Sequence, residues 1–199
     1  VTSRGLTPGG YLTLICRPIP ENSILELVTA FSREPRGHQL AIFGTYGEND
    51  PYTRAVRQAA SDEVVFVGPI YEPDEVSSLR FHSLGYVHGH TVGGTNPSLV
   101  EAMAAGNAVI AHDNAYNRWV AGDGALYFSG VDDAAAHIST LLESADRRAS
   151  LAAASRARHA TEFTWEHVAG QYAELLAEYL PSGAAPVAVS PSPRPGSRS

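Results

Sequence analysis

The residues best suited to chemistry lie in one stretch, residues 88–101, with the sequence HGHTVGGTNPSLVE. Gly93 and Gly94 have no Cβ and therefore let the backbone approach a ligand closely. Asn96 followed by Pro97 is typical of a helix start, because asparagine caps the first turn and proline is tolerated as its first residue. The free N–H groups and positive dipole end at such a start suit a phosphate. The stretch therefore predicts a site for a phosphorylated ligand.

The same stretch supplies further candidate contacts. Glu101 lies about one turn into the helix, where its carboxylate can accept hydrogen bonds from sugar hydroxyls. His90 is predicted to donate a hydrogen bond to the sugar or its phosphate, and to carry more charge below a pKa of about 6.5. His88 and His90 share a face of the predicted strand, but two histidines do not complete a tetrahedral metal site, so no metal is predicted. The residues expected around the ligand in the loop and helix start are Gly93, Gly94, Thr95, Asn96, Pro97, Ser98 and Leu99.

Other candidate contacts follow other predicted strands. Arg17 comes directly after the first strand, and its guanidinium could clamp a diphosphate or lie free on the surface. Asn22 either caps the helix that follows it or donates to the phosphate, and capping is favoured. Gly68 and Tyr71 lie in the loop after the third strand, where Tyr71 could stack on a base or simply be half-buried.

The fold that must position these residues follows from the alternation of short apolar runs with amphipathic stretches. The runs predict strands at Tyr11–Cys16, Gln39–Phe43, Val64–Val67, Gly85–His88, Ala108–Ala111 and Ala125–Phe128. Helices are predicted at Ile24–Phe31, Tyr52–Ala60, Asp74–His82, Pro97–Ala105, Asp132–Ser144, Arg147–Thr161 and Trp165–Leu180. Such alternation predicts an α/β, Rossmann-like doubly wound parallel sheet, in which ligands bind at the carboxyl ends of the strands.

Composition narrows the class of protein and of partner. The formal charge of −7 argues against nucleic acid as a partner, since that would require a basic face. Cys16 is the single cysteine, so we expect a packing role and a reducing compartment. No apolar run approaches the roughly 20 residues of a membrane span. We expect a cytoplasmic protein, with peripheral association at the inner face of the membrane as a variant of that expectation.

The two ends differ from the middle of the chain. Residues 1–10 are polar and contain glycine, and we expect them to be a linker from a larger protein. Residues 181–199 are nearly all proline, serine, alanine and glycine, and this composition predicts a disordered tail. One domain is therefore predicted at residues 11–180.

Two motifs resemble a known family. EAMAAGNAVIA, which begins at Glu101, resembles the donor-binding half of retaining family-4 glycosyltransferases, where a glutamate opens a helix of small residues that ends in glycine before a buried strand. HGHTVGGTNPSLVEA, together with RPIPEN from Arg17, is similar to bacterial rhamnosyltransferases of that family. Gly93 stands where the wider family places a first glutamate, and Asn22 where many relatives carry a phosphate-binding lysine. The usual donor contacts are therefore not expected to transfer as a whole.

The resemblance implies the C-terminal half of a two-domain GT-B enzyme that transfers a sugar with retention of configuration and without a metal or cofactor. The donor would be a nucleoside diphosphate sugar, with dTDP-rhamnose as a candidate, and the acceptor a glycan or lipid-linked molecule in cell-surface polysaccharide synthesis. Arg17 would contact the donor phosphate, Glu101 the ribose, and the loop after the third strand the base. Asn114, Asn117 and Arg118 would fall in a loop near the donor sugar, as ligand contacts or as turn-forming residues.

The acceptor would bind an N-terminal domain outside this chain. We therefore expect the chain alone to bind a nucleoside diphosphate without transferring sugar, and no residue is assigned as catalytic. Two other classes stay open: a nucleotide-sugar epimerase of the same architecture, and a non-catalytic nucleotide-binding module. A dinucleotide-binding enzyme is disfavoured, because the first strand is followed by Arg17-Pro18-Ile19-Pro20 rather than a glycine-rich turn.

Overall fold

The computed structural model describes residues 1–179, and within them strands alternate with helices along the chain. The strands are β1 (Tyr11–Ile15), β2 (Gln39–Phe43), β3 (Val64–Gly68), β4 (Gly85–His88), β5 (Ala108–His112) and β6 (Ala125–Phe128). The helices are α1 (Ile24–Phe31), α2 (Pro51–Ala59), α3 (Pro73–Phe81), α4 (Pro97–Ala104), α5 (Ala115–Ala121), α6 (Val131–Glu143), α7 (Ala145–Glu162) and α8 (Trp165–Ala177). Short 3₁₀ helices lie at Thr2–Arg4, Pro20–Asn22 and Gly122–Gly124.

All these strands pair in parallel in one sheet, in the order β3-β2-β1-β4-β5-β6. The prediction of a doubly wound parallel sheet is confirmed. The order reverses between β1 and β4, which are neighbours in the sheet although two strands separate them in the chain. Ligands of such sheets bind beyond the carboxyl ends of the strands at this reversal. The segments that follow β1 and β4, and carry Arg17 and His90, therefore meet at that edge.

Helices cover both faces of the sheet, because each strand presents alternate residues to opposite sides. On one face Leu12 and Leu14 are buried in a cluster with residues of α1, α2 and α6. On the other face Tyr86 of β4 packs with Leu99 and Met103 of α4. Burying the apolar side of α4 against β4 sets the direction in which its opposite side, including Glu101, points.

The segment after β5 differs from the prediction. We expected a loop there, but α5 occupies Ala115–Ala121. Asn114 caps it, since its side-chain oxygen accepts a hydrogen bond from the Asn117 amide at 2.9 Å. The helix is short, and its sequence has polar residues that are also common in turns, so the apolar spacing alone did not reveal it.

Leu6 and Arg4, two of the first ten residues, contact the rest of the domain. Leu6 is 2% exposed and belongs to an apolar cluster with Tyr11 and Leu79. Arg4 makes an ion pair with Glu75 of α3 at 2.8 Å. Residues 1–10, which we expected to be a linker, therefore include residues that pack on the domain.

The chain divides into two compact units, Val1–Thr164 and a second one that begins at Trp165 and whose described part includes α8. The predicted tail of residues 181–199, and residue 180 at the end of the last predicted helix, lie outside the described residues. Across the described part of the chain, no helix combines the length and the apolar character needed to cross a membrane.

Candidate functional site

Arg17 lies in the loop directly after β1, and its side chain is exposed. Asn22 supports this loop from the protein interior. It is 3% exposed and donates a hydrogen bond from Nδ2 to the Arg17 carbonyl oxygen at 2.7 Å. The capping role favoured for Asn22 is wrong, because Ser23 is the residue that precedes α1, with a left-handed φ of 46° and no capping bond from its side chain. Buried Asn22 therefore holds the Arg17 loop in place.

A cleft of about 420 Å³ opens at this edge of the sheet. Its lining includes three of the predicted contacts, Arg17, Tyr71 and Ser98, which come from segments far apart in sequence. Tyr71 is 84% exposed, so its ring is free to stack on a ligand. Gly68 precedes this part of the lining with a φ of 87°, and its carbonyl oxygen accepts a hydrogen bond from the Gly44 amide at 3.1 Å. The cleft combines a cation, an exposed aromatic ring and a helix start.

His88, the last residue of β4, and His90, two residues beyond it, stack on each other, with ring centroids 4.3 Å apart and planes inclined by 11°. Burial lowers the pKa of His88 to about 3, with a further contribution from His90. The pKa of His90 is also lowered, first by burial and then by the positive charge of Arg17. Both rings are therefore neutral at neutral pH. The expected His90 donor is a neutral imidazole close to Arg17, and its Nδ1 is buried without a hydrogen-bond partner.

The start of α4 has the predicted cap. The Asn96 side chain accepts a hydrogen bond from the Ser98 amide at 3.0 Å, and Pro97 is the first helical residue. The Leu99 amide donates to the Asn96 carbonyl oxygen at 3.1 Å, and the Leu99 side chain is fully buried. The amides expected to be free for a phosphate at Ser98 and Leu99 are therefore already engaged by Asn96. The exposed backbone of Gly93, Gly94 and Thr95 is the part of this segment open to a ligand.

Glu101 lies one turn beyond Ser98 on α4, with its side chain 57% exposed. It lines a neighbouring cleft of about 770 Å³ between α3 and α4. Val76 lines both clefts, so the two meet, and Glu101 faces the second while Ser98 faces the first. The structure therefore places Glu101 beside the cleft of Arg17 and Tyr71 rather than inside it.

Arg80 is a residue of this region that the sequence did not point to. Its Nη1 lies 2.7 Å from Oε2 of Glu101, and its side chain is 5% exposed. No sequence signal separates it from the exposed arginines of other helices, because its partner lies on a different helix. A buried charge needs a partner, and the ion pair with Glu101 supplies one.

Two asparagines near the start of α5 hold the loop that follows β4. Asn114 and Asn117 each donate from Nδ2 to the His90 carbonyl oxygen, at 2.9 and 3.0 Å. Arg118 makes a two-pronged ion pair with Asp113, at 2.5 and 2.7 Å. The side-chain amides of Asn114 and Asn117 therefore position the backbone of His90.

The single cysteine is not activated. Burial raises the pKa of the Cys16 thiol to about 12, which keeps it protonated at neutral pH. Within residues 1–179, no three His, Cys, Asp or Glu side chains come close enough together to hold a metal ion.

The sequence from residue 24 to residue 174 matches the model of a protein family described as Glycosyl transferase-like. The chain belongs to this family. No match was found among curated proteins.

Solved structures of glycosyltransferases with a GT-B fold share the Rossmann-like architecture. Sucrose-phosphate synthase from Thermosynechococcus elongatus has a TM-score of 0.76 at 21% identity, over 89% of this chain and 47% of that one. Anabaena HepE has a TM-score of 0.78 at 20% identity, over 89% and 51%. A trehalose-phosphate synthase from Burkholderia vietnamiensis has a TM-score of 0.69 at 12% identity, over 88% and 46%. The chain thus spans about half the length of these proteins.

Proposed function

We propose that the chain is the donor-binding half of a glycosyltransferase that takes a sugar from a nucleoside diphosphate sugar. The acceptor, a glycan or a lipid-linked molecule of cell-surface polysaccharide synthesis, would bind a further domain that this chain does not include. Rhamnose from dTDP-rhamnose is the candidate donor suggested by the HGHTVGGTNPSLVEA motif.

The observation that carries the proposal is the cleft at the reversal of strand order. Arg17 offers an exposed guanidinium, which binds phosphate oxygens with two parallel hydrogen bonds. Tyr71 offers an exposed ring in the same cleft for a nucleobase. Ser98 and the exposed loop at Gly93–Thr95 lie where a diphosphate would pass from Arg17 toward the sugar.

The comparisons support the same class of ligand. HepE was solved with UDP and with UDP-glucose, and the similar trehalose-phosphate synthase is described as UDP-forming. These ligands belong to those proteins, and the low identity transfers only the fold. A nucleoside diphosphate sugar is nevertheless the ligand class that fits both the family and the cleft.

The proposed roles follow from charge and position. Arg17 would stabilise the negative charge that develops on the departing diphosphate, which is electrostatic stabilisation of the transition state. His90, neutral and beside Arg17, would donate a hydrogen bond to the sugar or to a phosphate oxygen. Glu101 would accept hydrogen bonds from the ribose hydroxyls, because its carboxylate stays more than half exposed beside the ion pair with Arg80.

The test is calorimetric titration of the 199-residue chain with TDP, UDP and GDP. We expect weak binding of at least one of them, and about tenfold weaker binding by Arg17→Gln, because a charge-assisted hydrogen bond contributes roughly 1.5–3 kcal/mol. Arg33→Gln is the matched control, since Arg33 is also a partly exposed arginine, but pairs with Asp132 away from the cleft. Its affinity should equal that of the wild type.

Failure of the chain to bind any of the three diphosphates would overturn the proposal. Incubation with nucleotide sugars then separates the enzyme classes. Turnover of the donor without an acceptor would favour an epimerase, and we expect none. Transfer to an acceptor by these 199 residues alone would contradict the assignment of the acceptor site to another domain.

A further inference from the structure

Arg80 is the least exposed charged side chain near the two clefts, at 5% exposed, and it comes from α3 rather than from the predicted motif. Its Nη1 contacts Oε2 of Glu101 at 2.7 Å, and its Nη2 donates a hydrogen bond to the Ser98 hydroxyl at 3.4 Å. Ser98 and Glu101 lie on successive turns of α4, one in each cleft. One buried guanidinium therefore contacts both polar residues that α4 presents to the proposed site.

The Arg80 backbone is held as firmly as its side chain. Its carbonyl oxygen accepts hydrogen bonds from Asn107 Nδ2 at 2.9 Å and from the Ser83 hydroxyl at 2.8 Å. Asn107 is 3% exposed and lies just beyond the end of α4. Both ends of α4 are thus tied to the last turn of α3, and Arg80 has little freedom to follow Glu101 if the carboxylate moves.

The pair is asymmetric in exposure. Arg80 is buried, whereas Glu101 is 57% exposed and reaches solvent. Breaking the ion pair would leave the buried guanidinium of Arg80 without its partner, which costs free energy. The pair therefore restrains the Glu101 side chain far more than contact with water would. The contact with Arg80 is through Oε2, and the Glu101 side chain is still exposed enough for its carboxylate to reach a ligand.

We infer that Arg80 is a positioning residue that holds the Glu101 carboxylate, and with it the Ser98 hydroxyl, in the orientation that receives the ribose of a nucleoside diphosphate. The inference rests on the proposed function. It adds that the ribose selectivity of the site depends on a buried residue of another helix. A freely rotating glutamate would lose side-chain entropy when it binds, and Arg80 removes that cost in advance.

The test uses the preference of the chain for a nucleoside diphosphate over its 2′,3′-dideoxy analogue, measured by calorimetry with UDP, GDP or TDP, whichever binds most tightly. For TDP, whose sugar is deoxyribose, the comparison removes the 3′-hydroxyl alone. Glu101→Gln should reduce this preference by about tenfold, the effect expected for roughly 1.4 kcal/mol. Arg80→Met replaces the guanidinium by an uncharged, apolar side chain and should reduce the preference by a similar factor. The double variant should lose no more than either single variant, because the two residues act as one unit.

Two further variants separate positioning from structural support. Arg80→Lys should restore part of the preference, since it returns a cation near Glu101. Arg4→Met removes an arginine that, like Arg80, is paired with a glutamate. Its partner is Glu75 of α3, which lies away from the clefts, so this variant should leave the preference unchanged. Melting temperatures of all variants identify any that fail to fold.

The outcomes are distinguishable. If the wild-type chain binds none of the three diphosphates, the proposed function fails and this inference fails with it. If the wild type prefers the diphosphate over the dideoxy analogue and folded Arg80→Met keeps the full preference, only the role of Arg80 is overturned. Equal losses in Arg80→Met and in Arg4→Met would also overturn it, because they would show a general effect on α3.

Discussion

Replacing Gly89 by alanine should disturb both the fold and the site, because Gly89 lies where two segments touch. The Gly89 Cα faces the 3₁₀ helix that ends in Asn22, and the next segment is fixed there by the Thr91 amide, which donates to the Glu21 carbonyl oxygen at 2.9 Å. A methyl group on Gly89 would overlap with the Asn22 carbonyl oxygen and would come within 2.9 Å of a Leu27 methyl group. The backbone of the 3₁₀ helix must therefore move away.

The magnitude follows from what has to move. Backbone shifts that relieve an inserted methyl group cost about 1–3 kcal/mol. For a chain of this length, each 1 kcal/mol lowers the melting temperature by about 2–4 °C, so a loss of about 2–12 °C is expected by thermal unfolding. Asn22 also holds the Arg17 carbonyl oxygen, and its displacement should weaken binding of a nucleoside diphosphate in the same variant.

Gly94→Ala is the matched control, because a methyl group on Gly94 meets nothing within 4 Å and its backbone is not left-handed. Its melting temperature should stay within about 1–2 °C of the wild type, in line with the small effects of most surface substitutions. An unchanged melting temperature for Gly89→Ala would refute the close approach of the segment after β4 to the 3₁₀ helix. A stability loss without any loss of affinity would refute the link from Asn22 to Arg17.

Two other perturbations test the packing beneath the site. Asn117→Ala removes the donor to the carbonyl oxygens of His90 and His112, at 3.0 and 2.8 Å, and should lower the free energy of unfolding by about 1–3 kcal/mol in a denaturant titration; a variant as stable as the wild type would show that these bonds are not needed. Burial lowers the pKa of His88 to about 3. Below pH 6.5 the unfolded chain therefore binds a proton at His88 that the folded chain does not bind until the pH approaches 3. Stability should therefore be complete above pH 6.5 and fall toward pH 3, by up to about 1.4 kcal/mol per pH unit from this group. His88→Asn should flatten that dependence, and equal pH slopes in the two proteins would contradict the assignment to His88.

The sequence by itself determined the strands, the start of α4 and the edge of the sheet that carries the site. Alternating runs of apolar residues predict the strands to within one residue of their observed bounds, because a strand buried on both faces needs a continuous apolar run. Asn96 and Pro97 predict the start of α4, because capping depends on neighbours in the chain. Arg17 and His90 were predicted to share a site, since the carboxyl ends of parallel strands lie at one edge.

Only the tertiary structure decided which polar groups are free to bind a ligand. Asn22, Ser98 and Leu99 were candidates by position, yet their amide groups already have acceptors within the chain. Whether a polar group already has a hydrogen-bond partner cannot be predicted from the residues next to it in the chain. It depends on how the strands and helices pack together. The pairing of Arg80 with Glu101 has the same origin: a buried cation and a half-exposed carboxylate meet only because α3 and α4 pack side by side.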